Sequence, residues 1–235
     1  MPTGARARDL PSGRWERLGW YRSFVHNRSV GGSLFTLVHL PFMLAFLSLT
    51  IVGAAAEGKM DRTVLFLSLA VVAVLLYAEH MLDDTTRVGK PWGTVFGDRV
   101  LLTIAASLFA ASLFIALYAS LRYGSALPLV GVGIGIVLTI LYGLEVGGFH
   151  TVAFGGMGMG AVTPLSYLAQ ALSFGSGGNL VTALVLFIFG SCYGFVLLSL
   201  YESTKVGDCH LMWRLLAVHF VTIYALAAAV LLDLT

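Results

Sequence analysis

The chain has 235 residues, of which 58% are hydrophobic and 11% charged, with a formal net charge of +2 and a mean hydropathy of +0.88. Soluble domains carry about 25% charged residues, and no polar stretch here is long enough to form one, so a soluble enzyme is excluded. Two cysteines, Cys192 inside an apolar run and Cys209 in a polar loop, make neither a metal spacing nor a disulfide framework.

In chain order, residues 1–32 form a basic, polar segment without the features of a cleavable signal. A transmembrane helix needs about 20 apolar residues. On that scale residues 33–235 read as an all-α, polytopic membrane bundle of about seven helices: 33–56, 63–82, 100–120, 126–144, 149–172, 180–201 and 212–232. The fifth span, "FHTVAFGGMGMGAVTPLSYLAQAL", carries glycines and a proline that membrane helices tolerate, and the Gly156/Gly160 spacing permits close helix contact.

Lys and Arg set the expected orientation. With the N-terminus in the cytoplasm, 11 of the 14 basic residues fall inside, and Lys59, Arg62 and Arg122 remain outside. The same frame sorts the acids. Glu57, Asp61 and Asp233 lie outside. Glu79, Asp83, Asp84, Asp98, Glu145, Glu202 and Asp208 collect at the cytoplasmic ends of the second, fourth and sixth spans or in their loops, with His80, His150 and His210.

The stretch "YAEHMLDDTTRVGKPWGT", residues 77–94, is the densest of these. Glu79/Asp83 and His80/Asp84 are each spaced i, i+4, so each pair shares a helix face. Hard carboxylate oxygens in such a set suit Mg²⁺, which keeps other positions for water and phosphate. Arg87 and Lys90 follow closely, and Lys205 lies between Glu202 and Asp208. Acids mixed with cations suggest a polyanion held by metal and by charge-assisted bonds, with a diphosphate as the natural candidate. The plain alternative is a set of charged helix ends that only anchor the spans at the headgroups. The histidines would also serve a transition-metal pair, whereas His39 and His219, inside spans, are expected to make internal hydrogen bonds. Glu145 either lines the site or caps its helix locally. A transporter is disfavoured, because the middles of the spans contain no Asp, Glu, Lys or Arg.

Acidic motifs after the second and sixth spans resemble the layout of the UbiA-type intramembrane prenyltransferase superfamily. "EHMLDDTTRVGKPWGT" is similar to that family's first motif, N-x-x-x-D-x-x-x-D followed by a basic residue and proline. Glu79 or His80 stands at the Asn position, Asp83 or Asp84 at the central Asp, Arg87 or Val88 at the third, and Lys90-Pro91 at the basic-proline step. The second motif corresponds to "YESTKVGDCH", with Glu202 and Asp208 six apart where the family has two Asp four apart. "GGMGMGAVTPLSYLAQALSFGS" resembles the family's Gly-rich fifth helix, and "FVHNRSVGGSLFTLV" its first-helix entry, with Arg28 at the family's arginine. The family normally has nine helices against seven spans here.

The resemblance implies an integral membrane enzyme whose acidic loops face the cytoplasm and which moves a prenyl group from a prenyl diphosphate to a lipophilic acceptor among membrane lipids, with no nucleic-acid partner. It implies Mg²⁺ held by Glu79, Asp83, Asp84, Glu202 and Asp208, and diphosphate held by Arg28, Arg87, Lys90 and Lys205. Asp83, Asp84 and Glu202 would be the catalytic carboxylates. Tyr77, Tyr142, Tyr167, Tyr193 and Tyr201 are candidates to face an allylic cation through their rings. A non-catalytic relative that binds a lipid or a partner protein is the alternative.

Overall fold

A computed structural model describes residues 29–86, 94–206 and 210–233. The described residues are helical, with no strand: α1 (Val30–Val38), α2 (Leu40–Ala55), α3 (Arg62–Thr86), α4 (Asp98–Tyr123), α5 (Leu127–Gly143), α6 (Val152–Ser173), α7 (Leu180–Val206) and α8 (His210–Asp233), plus a 3₁₀ turn at Val146–Gly148. Helices α3, α4, α6, α7 and α8 are each long and apolar enough to cross a membrane, and α1 with α2 pass the same test only as a bent pair, the form of a broken span or of a re-entrant loop. The fourth expected span, 126–144, is α5, which has 17 residues. At 1.5 Å per residue it measures about 26 Å, short of a hydrocarbon core of about 30 Å. Large apolar side chains face outward along the bundle, among them Phe66, Phe114, Leu121 and Leu180, each at least 70% exposed. A polytopic membrane bundle accounts for that surface.

The first expected span, 33–56, is broken. His39 adopts a left-handed conformation (φ 43°, ψ 58°), and α1 meets α2 at 41°. Pro41 supplies the reason. It has no N–H to give to the carbonyl four residues back, and it is accommodated in the first turn of α2, where that N–H is not needed. That freed carbonyl belongs to Leu37, and it accepts a hydrogen bond from Nδ1 of His80 on α3 at 2.8 Å. The proline therefore both bends the span and creates the acceptor that anchors His80.

A second proline is accommodated in the same way. Pro164, inside α6, leaves the Gly160 carbonyl without its helical donor. The Thr163 hydroxyl shares its proton between that carbonyl, at 2.9 Å, and the Leu186 carbonyl of α7, at 2.7 Å. Glycines let the two helices approach at backbone contact. A Cβ on Gly160 would lie 2.8 Å from the Ser191 backbone nitrogen, and one on Gly194 only 3.1 Å from the Gly156 Cα. The Gly156/Gly160 spacing read from the sequence thus meets a matching pair, Gly190/Gly194. On the other side of α6, the Ser166 hydroxyl donates to the Thr50 carbonyl of α2 at 2.8 Å.

Two apolar clusters result. One joins α2, α6, α7 and α8 through Phe42, Leu49, Met159, Leu197, Phe220 and Ile223. The other joins α1, α3 and α4 through Leu37, Met81, Leu82, Leu101 and Ala105. Across α7 and α8, Tyr193 donates to the His219 carbonyl at 3.0 Å while the His219 ring donates to the Tyr193 carbonyl at 3.1 Å. Asp61 caps α3 through the Thr63 and Val64 amides. It is tied to fully buried Gln170 by two backbone–amide bonds. That network closes the end of the bundle remote from Glu79 and Asp83.

Candidate functional site

Beside the first cluster, which shares Phe42 and Met159 with its wall, lies a cavity of about 660 Å³, within the range of small-molecule sites. Its walls come mainly from α3, α5 and α6. Along α3 it runs from Val64 to Asp83, about 28 Å of helix. Most of the length is apolar: Leu67, Val71, Leu75, Val132, Leu138, Val162 and Leu165 face it. One end is polar, and it gathers His39, Glu79, His80, Asp83, Tyr142, His150, Tyr201 and Glu202.

Three helix ends and a linker build that polar head. The last turns of α3 carry Glu79, His80, Asp83 and Asp84, all buried. Nε2 of His80 lies 3.2 Å from Glu79 Oε2, and its other nitrogen is bonded to Leu37. His39, in the helix break, has its ring centroid 5.3 Å from that of His80 and 6.0 Å from that of Tyr201. The end of α7 brings Tyr201 and the exposed Glu202. The α5–α6 linker, "LEVGGFH", supplies Glu145 and His150.

In that linker Gly147 and Gly148 have positive φ (61° and 79°), as has Glu145 (53°), a conformation that glycine adopts at little cost. The resulting turn folds Glu145 and His150 back toward α3. One ligand atom each of Asp83, Glu145 and His150 lies within 4.8 Å of the others. Nδ1 of His150 bonds the Tyr142 carbonyl at 3.1 Å, and the Tyr142 ring stacks on the imidazole at 4.2 Å.

The expected site residues separate accordingly. Glu79, Asp83 and Glu202 share the cavity head. Asp84 does not line it. Fully buried, it instead accepts a short hydrogen bond from the Thr94 hydroxyl, next to where the Val95 amide donates to Ser33. The i, i+4 pairs place Glu79 and Asp83 on the cavity side, while Asp84 fastens the segment that leads into α4. Of the five candidate tyrosines, Tyr142 and Tyr201 line the cavity. Tyr77, Tyr167 and Tyr193 do not, because their hydroxyls bond Leu34, Asn179 and His219 within the bundle. Lys205 sits on α7, and Arg28, Arg87, Lys90 and Asp208 lie outside the described residues. His219 is the internal hydrogen-bonding residue expected, whereas His39 and His150 belong to the cavity head. The signal for His150 was the glycine pair that separates it from Glu145. For His39 it was Pro41 two residues on.

No protein-family model, curated protein or solved structure matches this chain.

Proposed function

We propose that the protein is an intramembrane prenyltransferase of UbiA type, with the prenyl tail in the cavity and the diphosphate at its polar head. The observation that carries this reading is the shape and polarity of the cavity: a long apolar sleeve ending in Glu79, Asp83 and Glu202. Such a site matches an amphiphile with a polar, metal-binding head. Apolar burial contributes about 25 cal/mol per Å² and would hold the tail. The carboxylate oxygens of Glu79, Asp83 and Glu202 are hard donors that fit Mg²⁺, and bound Mg²⁺ would supply charge neutralisation to a departing diphosphate.

In the reaction the allylic carbon–oxygen bond breaks, its electron pair leaves with the diphosphate, and an acceptor nucleophile bonds to the carbon and releases its proton. Tyr142 and Tyr201 present aromatic rings at the cavity head, where an allylic cation would be stabilised. Water exclusion by the apolar sleeve would protect that cation from hydrolysis. The excess of Lys and Arg in the loops at this end supports a cytoplasmic orientation for the head, where Arg87, Lys90 and Lys205 would add charge-assisted contacts to the diphosphate.

The test is binding of a prenyl diphosphate to the protein in nanodiscs, with and without Mg²⁺. The parent should bind in a Mg²⁺-dependent way, and Asp83→Asn and Glu202→Gln should each abolish most of that dependence while insertion is preserved. Identical binding by parent and both variants would sink the reading and leave lipid binding without catalysis as the remaining function.

A further inference from the structure

We propose that Asp83, Glu145 and His150 form a binding site for a divalent first-row transition ion, of the kind represented by Zn²⁺ and Mn²⁺, at the polar end of the cavity. Asp83 comes from the last turn of α3, Glu145 from the start of the 3₁₀ turn that follows α5, and His150 from the linker into α6. Their ligand atoms lie within 4.8 Å of one another. Three ligands held at about 2.1 Å in a tetrahedral shell lie about 3.4 Å apart, so side-chain movements of up to about 1.5 Å close the site.

The nitrogen donor selects the ion. Imidazole suits zinc, iron and related metals, while Mg²⁺ favours an all-oxygen shell. The second layer is also in place. A carbonyl only accepts, so the bond to Tyr142 puts the proton of neutral His150 on Nδ1, the nitrogen 4.0 Å from Glu145 Oε1, and the lone pair that an ion would take is on Nε2. A histidine ligand held in one tautomer by a backbone carbonyl is the usual arrangement around protein-bound metals. The stacked Tyr142 ring further fixes the imidazole plane. Three protein ligands leave a position open, as at catalytic rather than structural sites, and Asp83 and His150 both line the cavity.

This inference does not depend on the prenyl diphosphate reading, because the ion is assayed with no prenyl ligand present. Full-length protein stripped with a chelator is titrated with Zn²⁺ or Mn²⁺, and bound metal is measured after desalting. The parent should retain one equivalent. His150→Gln and Glu145→Gln should each weaken affinity at least tenfold, the lower bound set by the loss seen when only an outer-layer partner is removed. Glu57→Gln, at the opposite end of the bundle, should bind the ion like the parent. Pulsed EPR of the Mn²⁺ form should show coupling to a nitrogen that disappears in His150→Gln. Thermal unfolding of the metal-free variants controls for folding, and either of the two suffices if the other fails to fold. A parent that retains no ion, or a His150→Gln variant with unchanged affinity and nitrogen coupling, would overturn the proposal. Neither result would touch Mg²⁺-dependent binding of a prenyl diphosphate, which is measured separately.

Discussion

Filling the cavity from its wall, away from the charged head, separates the proposed tail site from the helix bundle that surrounds it. Gly158 on α6 lines the cavity, and a Cβ built there meets no atom within 4 Å. Gly158→Leu therefore inserts four carbons into space that the tail would occupy. At about 0.8 kcal/mol per buried CH₂, displacing four carbons of a prenyl chain costs about 3 kcal/mol, or about 200-fold in Kd. Gly133 on α5 is the matched control. A Cβ there is equally unobstructed, but the residue is not part of the cavity wall. Kd for one prenyl diphosphate, measured in nanodiscs at fixed Mg²⁺, should rise by that order in Gly158→Leu and stay at the parent value in Gly133→Leu. If both variants bind like the parent, the tail does not lie in this cavity. If both weaken equally, the effect belongs to the bundle and not to a binding site, and the reasoning fails in either case.

Asp84→Ala should behave unlike Asp83→Asn: loss of its bond to Thr94 should lower stability by about 1.5–3 kcal/mol in a thermal unfolding assay, with Mg²⁺ affinity retained, and a loss of affinity in a stable variant would return Asp84 to the site. Gly160→Ala should destabilise the α6–α7 pair by about 1–3 kcal/mol, since its Cβ meets backbone at 2.8 Å; unchanged thermal stability would show that the two helices separate freely. Orientation is tested by cysteine labelling in a background of Cys192→Ala and Cys209→Ser. Val95 is exposed at the head end whereas Thr94 is buried, so Val95→Cys and Ser176→Cys are the informative pair. An impermeant reagent added from outside should label only Ser176→Cys, and labelling of Val95→Cys would reverse the expected topology.

Local physics made much of this protein readable as a sequence. Long apolar runs can satisfy their backbone polar groups in a membrane only as helices, so the class and most helix positions follow from composition and length. The clustering of Glu79, Asp83 and Glu202 toward one end follows as well, because successive spans alternate direction. The i, i+4 rule grouped Glu79 with Asp83, and it also grouped His80 with Asp84. What it does not determine is which face of α3 meets the cavity.

Tertiary packing decided that. The Leu37 carbonyl freed by Pro41 pins His80, Thr94 engages Asp84, and Glu79 and Asp83 are left facing the space between α3, α5 and α6. Tyr77, Tyr167 and Tyr193 looked equivalent to Tyr142 and Tyr201 as aromatic residues in apolar spans; only helix rotation and distant hydroxyl partners distinguish them. Glu145 and His150 are joined to Asp83 across more than 60 positions of chain by a turn whose local signal was two glycines. Helical periodicity fixes relations within about one turn of a residue. The rotation of each helix about its axis, and therefore the membership of the site, depends on contacts with other helices that no local pattern contains.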